Sequence, residues 1–436
     1  MTTLSLLVVG VLWLSPAAAQ QRIALRGAAI ETATAAGRIP AGTILLRDGV
    51  IEEVGAEVAI PITAHEIDLR GKWIMPGVVD PYFVVAVGTT SVAAEEREVT
   101  FGGRTFRIPG SPAAVPTEFS RIASAFDPRN GSWEIPLRSG ITSAHWVSSG
   151  QGQGAVAQLH LGDQGTWVKK PDGFLFLALT NQTASLEVLR RGLNPPQQRG
   201  GSGGEGSTTA SENGAPMRGG RGGRPSSGDV PPPAPAPVPN APPPPPPSPQ
   251  EAIWQNVREG KQPLFVNANN SAAILYLAQE MKKSQEAEKG ARIVLVAGGE
   301  NLYRTIDALI PQRTTIVMPP RLDLIPNSRD RVNVARMLAE AKIPVAFSLS
   351  LNQDDYQRSQ ESPLFAVSML VRAGFPRDLA ITALTRLPAE LLGIDQQVGS
   401  IAKGKRGDFL VFDEDPLSAT ANLLQVIVDG RTVYDR

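Results

Sequence analysis

The chain has 436 residues, but it contains no cysteine and only three histidines. The absence of cysteine excludes disulfides, thiol nucleophiles and thiolate metal ligands. His65, His145 and His160 are the whole supply of imidazole, although hydrolytic metal centres usually combine several imidazole and carboxylate ligands. We therefore expect no metal site that depends mainly on cysteine or histidine.

An excess of charge of one sign is also missing, because 42 lysines and arginines balance 42 aspartates and glutamates. Nucleic acid attracts proteins through an excess of positive charge. We therefore expect no nucleic-acid partner.

Long apolar runs are missing too. The run Leu4 to Leu14 falls short of the roughly 20 residues that cross a bilayer, and no other stretch qualifies. We therefore expect no membrane span.

The N-terminal residues have the pattern of an export signal. The apolar run is followed by Ser15-Pro16-Ala17-Ala18-Ala19, small residues typical of a signal-peptidase site. Residues 1–19 are predicted to be a cleaved signal peptide, which makes the mature protein periplasmic or secreted. The alternative is a membrane anchor, which the short run disfavours.

Both ends of the mature chain are rich in short β-type runs. Asp48-Gly49 separates two such runs near the start, and this dipeptide favours the type I′ turn of a hairpin. Further runs follow at 408–413 and 424–434. Because terminal strands can complete one sheet, residues 20–75 plus 396–436 are predicted to form one small composite β-sandwich.

Between these ends, residues 76–395 alternate apolar β-branched runs with helical patterns. The runs lie at 140–144, 174–179, 264–266, 292–296, 315–318 and 344–347, and the helices at 271–283, 302–310, 332–341 and 364–373. Parallel strands separated by crossover helices are typical of a (β/α)8 barrel.

One stretch departs from the pattern. Residues 199–250 are rich in glycine and then proline, which predicts a disordered surface insertion. A tolerated loop is favoured there over a proline-rich partner-binding segment.

Several segments carry a resemblance to a known family. They are Met75 to Asp80 before the barrel, Leu379 to Ile394 near its end, and Val398 to Asp413 with the final Val428-Asp429-Gly430. Together they resemble the amidohydrolase superfamily, closest to its imidazolonepropionase-like and related branches. Gly150 to Val156 also resembles a glycine-rich loop that follows the second strand in one branch.

The resemblance implies a distorted TIM (β/α)8 barrel beside the composite β-sandwich. It also implies hydrolysis of non-peptide carbon–nitrogen bonds in cyclic amides or dipeptides, by zinc or another divalent metal that lowers the pKa of bound water. Family members commonly form oligomers.

The residues at the family's metal-ligand positions are not the usual ligands. Asp80 is followed by Pro81-Tyr82-Phe83-Val84, where the family has x-His-x-His. The corresponding positions hold Tyr82 and Val84 on strand one, Phe176 on strand four, Asn267 and Asn269 on strand five, Ala297 on strand six and Ser350 on strand eight. Oxygens of Asp80, Asn267, Asn269 and Glu300 are the remaining donors, but asparagine is a poor zinc ligand. We therefore expect no metal cofactor.

The three histidines are interpreted as structural before any catalytic role is given to them. His65 lies in the polar lead-in to the barrel, and His160 in an excursion beyond strand two. His145 ends strand two, where the functional mouth of a barrel lies. It is kept as a pocket residue, but a lone histidine without a placed carboxylate is weak evidence for acid–base catalysis.

The sequence thus predicts an exported pseudoenzyme of amidohydrolase ancestry. It would serve in binding or assembly, with a small molecule in the barrel mouth, as a homo-oligomer or paired with a homologous amidohydrolase subunit. The alternative is an active hydrolase of non-peptide carbon–nitrogen bonds with an atypical or partner-completed site.

Overall fold

The computed structural model describes residues 22–85, 97–101, 104–108, 119–125, 127, 133–148, 150–159, 168–180, 182–195, 248–286, 290–298, 300–325, 327–351 and 363–436. The predicted signal peptide, nearly all of the predicted insertion and His160 lie outside these residues.

Strands from both ends of the chain form one eight-stranded sheet. Its order is β23-β22-β21-β5-β1-β2-β3, with β4 beside β1. The strands are β1 (Arg22–Glu31), β2 (Arg38–Arg47), β3 (Val50–Gly55), β4 (His65–Asp68), β5 (Trp73–Pro76), β21 (Phe409–Phe412), β22 (Leu423–Val428) and β23 (Arg431–Asp435). The two ends of the chain thus contribute to one sheet, whereas the composite β-sandwich stays a prediction.

Two Asp-Gly turns, one from each end of the chain, lie against each other in this sheet. Asp48 and Gly49 have φ values of 51° and 80°, and Asp429 and Gly430 have 52° and 69°, as a type I′ turn requires. Gly407 N donates to Gly49 O at 2.7 Å, and Gly430 N donates to Gly407 O at 2.9 Å. The hairpin predicted at Asp48-Gly49 is confirmed, and its turn also joins the N-terminal strands to the C-terminal ones.

The central part of the chain forms two further sheets. One has the order β13-β12-β10-β6 and the other β20-β17-β16-β15-β14-β11-β9. Their strands are β6 (Val78–Val84), β9 (Ser120–Arg121), β10 (Ile141–Val147), β11 (Gln151–Gln153), β12 (Ala155–Gln158), β13 (Val168–Lys170), β14 (Leu175–Leu179), β15 (Leu264–Ala268), β16 (Ile293–Val296), β17 (Thr315–Met318) and β20 (Val345–Phe347). Two small hairpins complete the set: β7 (Arg97–Phe101) with β8 (Arg104–Ile108), and β18 (Asp323–Leu324) with β19 (Arg331–Val332).

Helices connect the parallel strands. They are α1 (Ile122–Ala125), α2 (Glu134–Arg138), α3 (Thr183–Leu193), α4 (Pro249–Arg258), α5 (Ser271–Glu286), α6 (Glu300–Tyr303), α7 (Ile306–Leu309), α8 (Val334–Glu340), α9 (Phe365–Arg372), α10 (Arg377–Leu384) and α11 (Arg386–Leu392), with a 3₁₀ turn at Ile310–Gln312. Among the described residues, no helix combines the length and apolarity that crossing a bilayer requires.

Two helix boundaries differ from the predictions. The helix predicted at 302–310 is divided into α6 and α7, because Thr305 turns back on the first helix and its Oγ1 donates to Leu302 O at 2.9 Å. The predicted insertion ends before residue 250, since α4 begins at Pro249 with Ser248 as its N-cap. Proline at the first helical position and serine before it are both favoured at a helix start.

The predicted barrel is only partly confirmed. Pairs β6–β10, β14–β15, β15–β16, β16–β17 and β17–β20 are parallel. Between β10 and β14, however, the described chain places antiparallel strands: β12 pairs with β10, and β11 pairs with β14. No strand ladder joins these two sheets into a closed barrel within the described residues.

Gly154 is the point where the chain crosses from one sheet to the other. Its N–H donates to Phe174 O and its carbonyl accepts from Gly173 N, both at 2.9 Å. A Cβ on Gly154 would lie 2.1 Å from His145 Nε2, and one on Gly173 would lie 2.3 Å from Gly154 O. The glycine-rich segment predicted as a loop is therefore a pair of short strands, with glycines where backbones approach too closely for a side chain.

The apolar runs recognised in the sequence form the interior. Strand β14 buries Leu175, Phe176 and Leu177, and β15 buries Phe265 and Val266. Burying each such side chain stabilises the fold by roughly 1.5–3 kcal/mol. The terminal sheet has a separate apolar cluster, so the strands that carry the candidate site rest on their own core.

Candidate functional site

The site is organised by an irregularity in β6. Across the β6–β10 pair, Asp80 lies opposite Ala144 and Phe83 lies opposite Trp146. Pro81 and Tyr82 therefore face the single residue His145, which makes a β-bulge. Proline has no N–H to give to a ladder, and bulges redirect side chains next to functional sites.

Asp80 is fully buried, and its carboxylate is held by three donors. Oδ1 accepts from Ser348 Oγ at 2.7 Å and from Tyr82 N at 3.0 Å. Oδ2 accepts from Ser350 N at 2.9 Å. Ser348 follows the last residue of β20, so these bonds connect the first parallel strand of the two central sheets to the last one.

The protonation of the two ionisable groups at this site is governed by burial. Burial raises the pKa of the Asp80 carboxyl, while the hydrogen bonds from Ser350, Ser348 and Tyr82 lower it in part. Burial also raises the pKa of Tyr82 to about 12, against a smaller lowering by the hydrogen bond from Asn267. The tyrosine is therefore a neutral phenol at physiological pH and cannot act as a base.

Three of the predicted pocket residues meet here. Asn267 Nδ2 donates to Tyr82 Oη at 3.5 Å, and Ser350 Oγ donates to Tyr82 O at 3.0 Å. Asn267 and Ser350 are each partly buried. Tyr82 is thus hydrogen-bonded to two of the other predicted pocket residues, Asn267 and Ser350.

The remaining predicted positions lie elsewhere. Val84 is 37% exposed, and Asn269 is exposed. Phe176 is fully buried in the apolar interior, and Ala297 is buried with its N–H donating to Val317 O at 3.0 Å. None of the hydrogen bonds described for Asp80 or Tyr82 involves these four residues.

His145 lies inside the protein rather than at an open mouth. Its side chain is fully buried, and its ring centroid lies 4.9 Å from that of Phe265 and 5.5 Å from that of Phe174. Nδ1 is 3.1 Å from Pro81 O, a carbonyl that can only accept, so Nδ1 carries the proton. Nε2 has no hydrogen-bond partner in the described chain and faces Gly154.

This environment makes His145 a structural residue. Burial lowers its pKa to about 4, a shift that the bond to Pro81 opposes and Lys170 reinforces. The imidazole is neutral at physiological pH and secures the bulge that presents Asp80 and Tyr82.

Of the other two histidines, His65 is exposed on β4. The prediction for His160 concerns a residue outside the described part of the chain.

Ser348 is the site residue that sequence reasoning missed. The family comparison pointed to Ser350, the position of the usual aspartate, but the hydroxyl nearest to Asp80 belongs to Ser348. The signal was present in the sequence, because Ser348-Leu349-Ser350 after a buried strand places two hydroxyls on one side of the chain.

The residues at this site do not fit a divalent metal. Both oxygens of Asp80 already accept hydrogen bonds from the protein. Its neighbours supply a phenol, an amide and two hydroxyls, whereas zinc sites are built from cysteine, histidine and carboxylate ligands. Within the described residues, no three His, Cys, Asp or Glu side chains are grouped so that they could hold a metal ion.

Comparisons of sequence each match a short part of the chain. A family model described as "Amidohydrolase family" matches residues 369–434. The amidohydrolase tasK of Hapsidospora irregularis is 39% identical over 62 residues, which is 14% of this chain. The chain spans about 6% of the length of that curated relative.

Comparisons of structure cover much more of the chain. An amidohydrolase from Thermotoga maritima superposes with a TM-score of 0.65 at 18% identity, over 95% of this chain and 100% of its own. A molinate hydrolase gives a TM-score of 0.51 at 15% identity, covering 95% of each chain. A Xaa-Pro dipeptidase with bound methionine gives 0.50 at 14% identity, over 95% of this chain and 100% of its own. At these identities the similarity concerns the fold.

Proposed function

We propose that this chain is a member of the amidohydrolase superfamily that does not hydrolyse a substrate and serves in binding or assembly. The family model that matches residues 369–434 and the similar fold of solved amidohydrolases support this ancestry. The observation that carries the proposal is the engagement of Asp80 by Ser348 and Ser350. A family aspartate that is held in this way stabilises the fold and is not free to act on a substrate.

The chemistry of the neighbouring side chains supports the same proposal. Amidohydrolysis needs a nucleophilic water, which a metal or a general base must activate. Tyr82 is a neutral phenol, Asn267 is an amide that cannot take a proton at physiological pH, and His145 is buried with its Nδ1 facing a carbonyl. No group among these three is placed to deprotonate water.

The polar side chains that are partly exposed at the site are suited to hydrogen bonding. The Asn267 amide and the Ser350 hydroxyl are partly exposed, and both are neutral groups that donate and accept. The protein binds a small polar molecule here, or uses this end of the strands to contact a second copy of itself or a homologous amidohydrolase subunit.

An activity screen tests the proposal. Purified protein is incubated with cyclic imides, dihydropyrimidines, N-acyl amino acids and dipeptides, with and without added Zn²⁺ or Mn²⁺. We expect turnover indistinguishable from the blank for the wild type and for Asp80→Asn. Chelator-sensitive turnover in the wild type that Asp80→Asn abolishes would establish the alternative, an active hydrolase with an atypical site.

A partner-completed site is tested in the same assay after mixing with a metal-competent homologue. Turnover above the sum of the two separate proteins, lost in Asp80→Asn, would contradict the proposal. Sedimentation velocity of the chain alone and of the mixture then distinguishes self-association from pairing.

Export is the second part of the proposal. It is supported by the apolar run and small residues within 1–19. N-terminal sequencing of protein recovered outside the cytoplasm should begin after Ala19, and an intact Met1 on that material would contradict it. The mature chain is further proposed to combine a distorted (β/α)8 barrel with a small β-sandwich made from both ends.

A further inference from the structure

A cavity lies at the opposite end of the strands from Asp80 and Tyr82. It has a volume of about 740 Å³, and its wall includes Phe119, Gln153, Lys170, Phe174, Ile253 and Gln262. Phe174 precedes β14 and Gln262 precedes β15, so the cavity opens at the amino ends of these strands. Its volume falls in the range of roughly 300–1,000 Å³ typical of small-molecule sites.

Lys170 gives the cavity its chemical character. The side chain is partly buried, and Nζ lies 4.4 Å from the ring centroid of Phe174. No carboxylate in the described part of the chain forms a salt bridge with it. Burial lowers the pKa of Lys170, and the nearby positive charge of Arg292 lowers it further. An anion next to this ammonium would stabilise its charged form and so offset both lowering effects on the pKa.

The other charges in the cavity wall are balanced. Arg121 Nη1 lies 3.5 Å from Asp172 Oδ1, and Lys261 Nζ lies 2.6 Å from Glu259 Oε2. Lys170 is therefore the charged residue of this wall for which the described chain shows no salt bridge. A monoanion matches this one ammonium.

The cavity also has an apolar wall and an unused acceptor. Phe119, Phe174 and Ile253 supply the apolar surface. Gln153 is only 5% exposed, and its Oε1 has no hydrogen-bond partner in the described chain. A buried carbonyl oxygen without a donor costs about 1–3 kcal/mol, so a ligand that brings an N–H or O–H to this point is favoured.

We propose that this cavity binds a small organic monocarboxylate that has a flat apolar group and one hydrogen-bond donor. The Lys170 ammonium pairs with the carboxylate, the two phenylalanines contact the apolar group, and Gln153 Oε1 accepts from the donor. The site is separate from the one at Asp80, and it stands whether or not the chain hydrolyses anything.

Calorimetric titration with indole-3-acetate tests the proposal, because this probe has all three features. Indole-3-acetamide is the matched probe without the charge. We expect saturable binding of the acetate to the wild type and binding at least about tenfold weaker for the acetamide, since hydrogen bonds to charged groups are the stronger ones. Lys170→Met should weaken binding of the acetate by a similar factor.

Lys169→Met is the control variant, because Lys169 is the exposed neighbour on the other face of β13. It should bind the acetate as the wild type does. Absence of saturable binding to the wild type, or equal binding by Lys170→Met and Lys169→Met, would overturn the proposal.

A measurement on the wild type alone guards against a Lys170→Met variant that fails to fold. Acetic anhydride labelling followed by mass spectrometry reports the reactivity of each lysine. Indole-3-acetate should protect Lys170 and leave Lys169 unchanged. Protection of neither lysine, or of both equally, would place the probe elsewhere and overturn the assignment.

Discussion

Ser348 Oγ, at the end of β20, donates a 2.7 Å hydrogen bond to Asp80 Oδ1 on β6. These two strands are the last and the first of the parallel strands in the two central sheets. No strand ladder spans this interval in the described chain, so the bond is a direct connection between the two sheets there. Asp80 acts here as a hydrogen-bond acceptor that holds the strands together.

Removing the donor should therefore cost stability. Ser348→Ala leaves a fully buried carboxylate oxygen short of one partner, and we expect the free energy of unfolding to fall by about 2 kcal/mol. Urea denaturation measures this. Ser368→Ala is the matched control: Ser368 is equally buried but donates to Phe365 O within one helix, and its loss should cost less than about 1 kcal/mol. Equal losses of unfolding free energy in the two variants would show that the bond from Ser348 to Asp80 stabilises the fold no more than an ordinary hydrogen bond does.

Asp408 should make stability fall as pH rises. It is buried just before β21, accepts from Gln158 Nε2 at 3.0 Å and from Asp429 N at 2.8 Å, and burial raises its pKa to about 6. Because the folded state holds the proton more tightly than the unfolded state, this stabilisation is present below the unfolded pKa and is lost as pH rises through about 6.

The variant Asp408→Asn isolates this effect. Its amide can donate to Gln158 Oε1, which has no partner in the described chain. Relative to the variant, the wild type should lose roughly 2.5 kcal/mol of unfolding free energy between pH 4 and pH 7. Asp435→Asn, on an exposed pair with Gln425, should track the wild type throughout. A constant difference between the wild type and Asp408→Asn would refute the assignment.

His145 should make stability fall as pH falls, which is the opposite of the effect of Asp408. Burial lowers its pKa to about 4, so the unfolded state binds the proton more tightly and stability is lost as pH falls from the unfolded pKa toward about 4. NMR of the imidazole nitrogens should find His145 neutral, with its proton on Nδ1, at pH 5.5. His145→Asn, which keeps a donor for Pro81 O, assigns the resonance. A midpoint near the ordinary histidine value would contradict the buried placement.

Gly154 should tolerate no side chain. A Cβ there would lie 2.1 Å from His145 Nε2 and 2.7 Å from Trp146 O, so Gly154→Ala should destabilise the protein by about 1–3 kcal/mol or more. Gly150 is the matched control in the same segment, because a Cβ there meets nothing within 4 Å. Thermal melts of both alanine variants give the comparison, and a Gly154→Ala melt that matches that of Gly150→Ala would refute the close crossing of the strands.

The sequence predicts local elements well because they depend on neighbouring residues. The Asp48-Gly49 turn and the buried strands β14 to β17 follow from turn chemistry and from continuous apolar runs. The antiparallel strands on either side of Gly154 do not, because strands of three and four residues are too short to carry a periodic pattern.

The site was predictable only in part for a similar reason. Motif positions name Tyr82, Asn267 and Ser350 among eight candidates, and these three are the ones that hydrogen bonds connect at Tyr82. They do not reveal that Asp80 is bonded to Ser348, because that contact joins residues 268 positions apart. Whether the Asp80 carboxylate is free or hydrogen-bonded depends on its side-chain rotamer, which the sequence does not reveal.

The metal content of the mature chain tests the central claim most directly. The protein is purified without chelator, incubated with Zn²⁺, dialysed, and measured by inductively coupled plasma mass spectrometry beside Asp80→Asn. With Asp80 held by Ser348 and Ser350, we expect fewer than about 0.1 ions per chain in both proteins. About one tightly held ion per wild-type chain, absent from Asp80→Asn, would contradict the account.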